Sequence, residues 1–258
     1  MLIREFLSSL EEIIPLDLQE DWDNSGLQVG QLDQKLKGTL VCLDVTLDIL
    51  DQALEEGCNL IISHHPMIFS GVKSIGGPDA LSEKIIKAIK NDLVIYASHT
   101  SCDLADGGIN DYFFKKMQMD KISYISELSP GLGYGAYGEI EAVATKNLVK
   151  KIASTMDIEG LILYGDPEKI ISKLGFIGGS GASFIGDSLN LGLDLYITGD
   201  IKHHDALDAM EAGLSILDLG HHNSERHFVD LIGDWAEENG RGKVVKNHGD
   251  EKNFRNIF

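Results

Sequence analysis

The sequence predicts an α/β fold with mostly parallel sheets. Two observations indicate this class: short apolar segments alternate with segments of helical spacing, and polar side chains follow the apolar segments, as they do at the carboxyl ends of strands in open α/β sheets. The 258 residues suffice for one large domain or two lobes. The glycine- and serine-rich segment Ser126–Glu139 is the best candidate for a lobe boundary, so the predicted domains are residues 1–127 and 128–258.

The elements of the first predicted domain follow from hydrophobic spacing. Residues 1–18 have acids inside an apolar pattern, which is typical of an amphipathic helix and not of a signal peptide. Continuous apolar runs predict strands buried on both faces, and spacings of three and four residues predict helices. In chain order they are strand Thr39–Val45, helix Leu47–Gly57, strand Asn59–Ser63, helix Pro78–Asp92, strand Leu93–His99 and helix Gly107–Met119.

The second predicted domain repeats the alternation. Its strands are again short and apolar, and one of them runs into a glycine-rich turn. In chain order the elements are strand Glu139–Ala144, helix Asn147–Met156, a strand in Lys173–Ser183 ending at the glycine-rich turn, strand Asp194–Asp200, helix Lys202–Gly213, strand Leu214–Gly220, helix Ser224–Gly240 and an edge strand in Lys243–His248.

Composition excludes several classes of protein. The net charge of −19 repels phosphate backbones, so duplex nucleic acid is not an expected partner. No apolar run approaches the roughly 20 residues needed to cross a bilayer. The three cysteines are odd in number and widely spaced, which favours reduced thiols and a cytoplasmic location over a disulfide framework.

Six of the nine histidines occur as doublets, and each doublet follows an apolar segment. Transition metals bind neutral imidazole together with carboxylate, so converging strand ends would create a metal site. A site for two ions also needs a bridging carboxylate or hydroxide, and such ions lie about 3.5–4 Å apart. The polar groups at predicted strand ends are Asp44, His64, His65, His99, Asp103, Asp200, His203, His204, His221, His222 and Glu225.

Structural roles compete with these metal-binding roles. His64 and His65 are either ligands or hydrogen-bonded core residues, and Asp103 alone fits a helix cap. His203 and His204 open a helix, where packing or support of a site is expected, whereas His222, His227 and His248 fit structural or exposed positions. The segment Ile177–Ser183 resembles a phosphate-cradling loop but lacks the lysine of a P-loop.

Six segments together resemble the NIF3-like family, whose members are often labelled GTP cyclohydrolase I type 2 homologues. They match the family's motifs in order over about residues 20–230. The segments are EDWDNSGLQVG, IISHHPMIF, ASHTSCDLADGGIND, IGGSGASFI, YITGDIKHHDALDA and LDLGHHNSER.

The resemblance implies a two-lobed fold, a toroidal homohexamer and a dinuclear divalent-metal site between the lobes. The ions would be zinc, iron or manganese, and the site would be supported by His203 and His204. His99 would be an auxiliary ligand or a catalytic proton shuttle. One departure is that relatives often carry arginine in a GxGRxG pattern, whereas this chain has GYGAYG at Gly133–Gly138. The ligands implied by the resemblance are His64, His65, Asp103, His221 and Glu225, with Glu225 bridging.

The expected activity is metal-dependent hydrolysis of a small molecule or nucleotide. Two ions would lower the pKa of a bridging water, and in a GTP cyclohydrolase-like reaction the resulting hydroxide would attack C8 of guanine and release formate. The alternative is a non-catalytic metal-binding assembly, a metal carrier or a regulatory interaction protein.

Overall fold

The chain folds into two compact units. The computed structural model describes residues 1–240 and 242–249. The first unit comprises Met1–Ala105 together with the described residues from Phe228 on, and the second comprises Asp106–His227. The helices and strands, in chain order, are α1 (Ile3–Glu11), β1 (Gly26–Val29), β2 (Gly38–Cys42), α2 (Leu47–Glu55), β3 (Leu60–Ser63), α3 (Ala80–Lys90), β4 (Val94–Ala97), α4 (Thr100–Leu104), α5 (Ile109–Met117), β5 (Ser126–Ser129), β6 (Leu132–Tyr134), β7 (Ala136–Ala144), α6 (Thr145–Met156), β8 (Ile162–Tyr164), β9 (Ile170–Ser180), α7 (Ile185–Asn190), β10 (Leu195–Gly199), α8 (His203–Glu211), β11 (Ser215–Asp218), α9 (His221–Glu225), α10 (Phe228–Asn239) and β12 (Lys243–Lys246).

The first unit is built on a five-stranded sheet in the order β1-β4-β3-β2-β12. Strands β12, β2, β3 and β4 run parallel, and β1 is antiparallel at one edge. The side chains of β2, β3 and β4 are buried on both faces, as their uninterrupted apolar sequences predict. Helices α2 and α3 begin where Thr46 and Asp79 accept hydrogen bonds from backbone N–H groups of their first turns.

The core of the first unit includes two of the three cysteines. Cys42 and Cys58 pack among buried aliphatic side chains, and Cys102 is also buried. Burial raises the pKa of the Cys42 thiol far above its usual value, because the thiolate would lie in an apolar environment. Cys42 and Cys58 are therefore small core residues.

The second unit has a mixed five-stranded sheet in the order β7-β9-β10-β11-β8, with a β5-β6 hairpin. Strands β9, β10 and β11 are parallel, whereas β7 and β8 are antiparallel to their neighbours. The rings of Phe113 and Phe176 stack in its core, with centroids 3.9 Å apart and an interplanar angle of 5°. The α/β class is confirmed, although only the three central strands of this sheet are parallel.

The units differ from the predicted domains in two respects. The first unit ends at Ala105, and the chain returns to it at Phe228. The return occurs because β12 pairs with β2 along Lys243–Lys246, so the predicted edge strand belongs to the first sheet. The predicted residues 250–258 of the second domain, and Arg241, lie outside the described residues.

The glycine-rich segment Ser126–Glu139 is part of the second unit and does not separate the two units. It forms β5, β6 and the start of β7. A Cβ atom at Gly138 would collide with the backbone oxygen of Asp120. Composition alone suggests that Gly138 is a linker residue, but close packing of the backbone explains why glycine is needed there.

Several short elements were not predicted. They are too short for a periodic pattern or too polar for an apolar run. The predicted helix Ser224–Gly240 is divided into α9 and α10. Within the described residues, no helix is long and apolar enough to cross a membrane. The elements that were not predicted are β1, α4, β5, β6, β8 and α7.

Candidate metal centre

Three imidazoles gather at the carboxyl ends of parallel strands in the first unit. His64 and His65 follow β3, and His99 follows β4. The ring centroids lie 5.0 Å (His64 to His65), 5.2 Å (His64 to His99) and 5.5 Å (His65 to His99) apart. One ring nitrogen from each residue lies within 4.8 Å of the other two. This spacing would allow the three rings to bind one or two metal ions.

Each of the three rings is oriented through its Nδ1 atom. His64 Nδ1 lies 3.0 Å from the backbone oxygen of Ser98. His65 Nδ1 lies 2.9 Å from Asp44 Oδ1, and His99 Nδ1 lies 2.8 Å from Asp23 Oδ1. All three partners accept hydrogen bonds, so each neutral ring donates from Nδ1 and carries its lone pair on Nε2. Metal-binding histidines are typically held in this way.

Asp23 is the most firmly fixed of these acceptors. Its side chain is fully buried and also accepts hydrogen bonds from Thr100 (N and Oγ1) and from Ser25 Oγ. Burial alone would raise the pKa of Asp23, but the hydrogen bonds from His99, Thr100 and Ser25 outweigh it and hold that pKa well below its usual value. The carboxylate is therefore charged where it contacts His99.

Asp103 lies beside the same group. It belongs to the short helix α4, and its Oδ1 atom is 3.8 Å from His64 Nε2. The following helix, α5, begins at Ile109, and its N-cap residue is Gly108 and not Asp103. The structure thus brings Asp103 together with His64.

In the second unit, His221 and Glu225 lie on one face of α9. His221 Nε2 is 3.2 Å from Glu225 Oε2, at a spacing of four residues. His221 Nδ1 is 2.8 Å from Asp200 Oδ2, so this ring is oriented like those of the first unit. The Glu225 side chain is 5% exposed. A buried carboxylate beside an imidazole is a suitable pair of metal ligands.

The glycine-rich end of β9 provides space for Glu225. Gly179 has a φ of +69°, and a Cβ atom there would collide with Glu225 Oε1. The Gly179 N–H donates to Ser224 Oγ over 2.9 Å. The resemblance of this segment to a phosphate loop is therefore explained by close packing of bare backbone on the helix that carries Glu225.

The remaining histidines lie in other environments. His203 and His204 are exposed at the start of α8 with their rings 5.2 Å apart, and within residues 1–240 and 242–249 neither belongs to a metal-ligand group. His227 is buried, with Nε2 2.9 Å from the backbone oxygen of Ile109. His248 pairs with Asp230 over 2.7 Å. The structural roles expected for His227 and His248 fit these contacts, whereas the structure gives no support for a role of His203 or His204 at the site.

Sequence reasoning missed Asp23 as a partner of the site. It lies in the motif EDWDNSGLQVG, 76 residues before its partner His99, and nothing in its local pattern indicates that pairing. Asp44 and Asp200 were recognised at strand ends, but their role in orienting His65 and His221 was not. At Ala136, the position of the arginine in the expected GxGRxG pattern, the side chain is fully buried in the core of the second unit.

Comparisons with known proteins find relatives that match nearly the whole chain. The family model Duf34/NIF3 (NGG1p interacting factor 3) matches residues 1–247. The chain is 38% identical to a Clostridium perfringens "GTP cyclohydrolase 1 type 2 homolog" over 244 residues, which cover 92% of each chain. It is 31% identical to the "NIF3-like protein 1" of Drosophila melanogaster, covering 86% of this chain and 77% of that protein.

The fold is also similar to solved structures. A crystal structure of a Staphylococcus aureus protein matches with a TM-score of 0.90 at 28% identity, over 100% of this chain and 99% of the other. A Bacillus cereus protein related to NIF3 matches with a TM-score of 0.89 at 22% identity, over 97% of each chain. These matches and the family model agree over nearly the whole chain, and the protein belongs to the Duf34/NIF3 family.

Proposed function

We propose that the protein is a metal-dependent hydrolase that binds two divalent ions through His64, His65, Asp103, His221 and Glu225. One observation carries this proposal: in His64, His65, His99 and His221 alike, Nδ1 contacts a hydrogen-bond acceptor. This arrangement selects the tautomer with its lone pair on Nε2, which is the form that binds a metal ion.

The residues fit divalent transition metals. Imidazole nitrogen with carboxylate oxygen suits zinc, iron and manganese, and excludes a site selective for calcium or magnesium. Glu225 has two oxygens, so its carboxylate can bridge two ions and offset their repulsion. The acceptors Asp23, Asp44 and Asp200 place negative charge behind the rings and increase the basicity of the ligand nitrogens.

The chain's own residues have separate tasks in the proposed reaction. When bound, two divalent ions supply a water of lowered pKa and polarise the substrate. Asp23 holds His99 through Nδ1, so the Nε2 atom of His99 is suited to accept and return a proton. The name of the bacterial relatives supports a substrate like GTP, whose purine ring would be opened with release of formate.

A second candidate is a metal-binding interaction protein without turnover. The observation that favours it is the description of the matching family, which names an interacting factor. The same ligands would then hold ions for structure, transport or regulation. The toroidal homohexamer implied by the resemblance remains part of both proposals.

Elemental analysis and a formate assay test the proposal. We expect wild-type protein to contain two divalent ions per chain, and His65→Ala and Glu225→Ala to lose at least one of them. His204→Ala is the matched control, because it removes an exposed imidazole of α8. We expect the wild type to release formate from GTP and to stop when a chelator is added.

The outcomes separate the two candidates. Full metal content without turnover of GTP or of a broad nucleotide panel would favour the interaction protein. Unchanged metal content in both His65→Ala and Glu225→Ala would overturn the ligand assignment itself.

A further inference from the structure

Two large aromatic side chains are exposed beside the histidine group of the first unit. Trp22 is 59% exposed and Phe69 is 55% exposed. Their ring centroids lie 6.0 Å apart at an angle of 45°. Exposed tryptophan is costly because it leaves a large apolar surface in water, so a pair of exposed rings at one place suggests a binding surface.

Both rings lie against His99. The centroid distance from His99 is 5.9 Å to Trp22 and 6.4 Å to Phe69, and the edge-on angles are 78° and 71°. The His99 ring therefore lies edge-on beside both rings of the aromatic pair. A molecule lying on the pair would be within reach of His99 and of the neighbouring His64 and His65.

The aromatic pair is held by hydrogen bonds on either side. The backbone of Ile68, next to Phe69, donates to Gln28 Oε1 over 3.1 Å, and its carbonyl accepts from Asn24 Nδ2 over 2.7 Å. Gln28 Nε2 in turn donates to the backbone oxygen of Asn24 over 2.6 Å. Trp22 directly precedes Asp23, which binds His99. The motif that orients His99 thus also positions both rings.

We propose that Trp22 and Phe69 form a stacking platform that binds a planar heteroaromatic ring and presents it to the metal centre. This inference rests on the proposed function, since it assigns the substrate ring a place at the same site. A ligand ring would stack on the exposed faces of Trp22 and Phe69 and not between them. The two rings already contact one another and leave no gap for a third ring. Base stacking on such a platform tolerates different ring systems.

A small planar ligand fits the platform better than a protein does. A stable protein interface buries about 800 Å² on each partner, whereas one aromatic side chain buries about 150–250 Å². Two partly exposed rings fall well below that area but match one nucleobase. With a chain charge of −19, attraction to phosphate groups contributes little outside the metal centre, so ring stacking would supply much of the affinity.

Fluorine NMR of zinc-loaded, fluorotryptophan-labelled protein tests the platform directly. The chain has 2 tryptophans, so Trp235 serves as an internal control in the same sample. We expect guanosine and adenosine to shift the Trp22 resonance saturably and to leave that of Trp235 in place. Ribose, which lacks the ring, should shift neither.

Calorimetry on variants measures the contribution of each ring. We expect Trp22→Leu and Phe69→Leu to bind guanosine about five- to a hundredfold more weakly than the wild type. Ile89→Ala, which removes an exposed apolar side chain of α3, is the control and should bind as tightly as the wild type. Zinc content should be unchanged in all three variants, which separates a failure of the platform from a failure of the metal site.

Two results would overturn the inference. One is a wild-type Trp22 resonance that no nucleoside moves while the protein holds its full complement of zinc. The other is a change of oligomeric mass in Trp22→Leu and Phe69→Leu, because the rings would then be an interface between copies of this chain. A wild-type protein that does not retain zinc would instead count against the proposed function. The NMR shifts would then still decide whether nucleosides stack on Trp22.

Discussion

At the scale of single residues, three of the four histidine rings at the candidate site are each oriented by their own aspartate. Asp23, Asp44 and Asp200 each contact the Nδ1 atom of a histidine over 2.8–2.9 Å. These aspartates select the tautomer, fix the plane of the ring and make Nε2 a better donor to a metal ion. At the proposed metal site, the affinity for metal would therefore depend on residues that do not themselves bind the ion.

Asp44→Asn tests the role of these acceptors. The asparagine oxygen can still accept from His65, but the negative charge behind the ring is lost, so we expect zinc to bind about 10–100-fold more weakly. Competition with a chromogenic chelator measures this change. Asp230→Asn is the matched control, because Asp230 pairs with His248. Equal zinc affinity in the wild type and in Asp44→Asn would contradict the assigned role.

We expect Asp23 to make a pH-dependent contribution to the stability of the metal-free protein. Its pKa is lowered in the folded state from the ordinary value of 3.8. The carboxylate therefore stabilises the fold at pH values above the ordinary pKa of 3.8. This stabilisation is lost as the pH falls through the lowered pKa of the folded state. We expect Asp23→Asn to lower the free energy of unfolding by about 1–3 kcal/mol at neutral pH, because hydrogen bonds to a charged group are lost.

Urea unfolding of chelator-treated protein over a range of pH measures this difference. The gap between wild type and Asp23→Asn should be constant near neutrality and should narrow in acid, below about the ordinary pKa of an aspartate. A gap of the same size at every pH would show that the charge of Asp23 does not matter.

At the scale of elements, the sheets bring the candidate ligands to strand ends. In the first unit β2, β3 and β4 are parallel, so Asp44, the histidine doublet and His99 emerge at one edge. In the second unit β9, β10 and β11 are parallel, and Gly179, Asp200 and His221 lie at or just beyond their carboxyl ends. Each unit thus places its candidate ligands by the same rule of open α/β sheets.

Gly179→Ala tests the close packing of β9 on α9. A Cβ atom there would push Glu225 out of position, so we expect loss of metal bound through Glu225, measured by elemental analysis, as well as lower stability. Gly192→Ala is the matched control: Gly192 also has a positive φ, of +65°, but open space around it. The control should lose only about 1–2 kcal/mol of stability, from left-handed strain, and keep its metal. Equal metal content in both variants would refute the packing account.

The central strands and most helices were predictable from sequence, because buried parallel strands are continuous apolar runs and the helices have clear spacing. β12 and the hairpin β5-β6 were harder to place. Partner strands such as β12 and β2 are about 200 residues apart, and local pattern carries no information on that pairing. The division of the units was therefore misplaced in the glycine-rich segment.

The candidate site was predictable in part for a related reason. The histidine doublet, His99, His221 and Glu225 follow apolar strands and match family motifs, so their types and positions indicate metal chemistry. Asp23 lies before the first predicted strand and orients His99 through a contact formed only in the folded unit. A tertiary hydrogen bond of this kind produces no local sequence pattern from which it could be predicted.

At the scale of the whole molecule, the candidate ligands are divided between the two units. His64, His65 and Asp103 belong to the first unit, and His221 and Glu225 belong to the second. The chain leaves the first unit after Ala105 and returns to it at Phe228, directly after the segment that carries His221 and Glu225. Metal binding by all five residues would therefore couple the stabilities of the two units, since a bound ion stabilises every segment that holds it.

Anomalous X-ray scattering from crystals of the freshly purified protein tests the central claim most directly, because it locates the ions themselves. We predict two peaks at a metal absorption edge, with Nε2 atoms of His64, His65 and His221 about 2.0–2.1 Å from them and the Glu225 carboxylate in contact with both. Metal found only elsewhere on the protein, with these nitrogens bound to protein groups or water alone, would contradict the account.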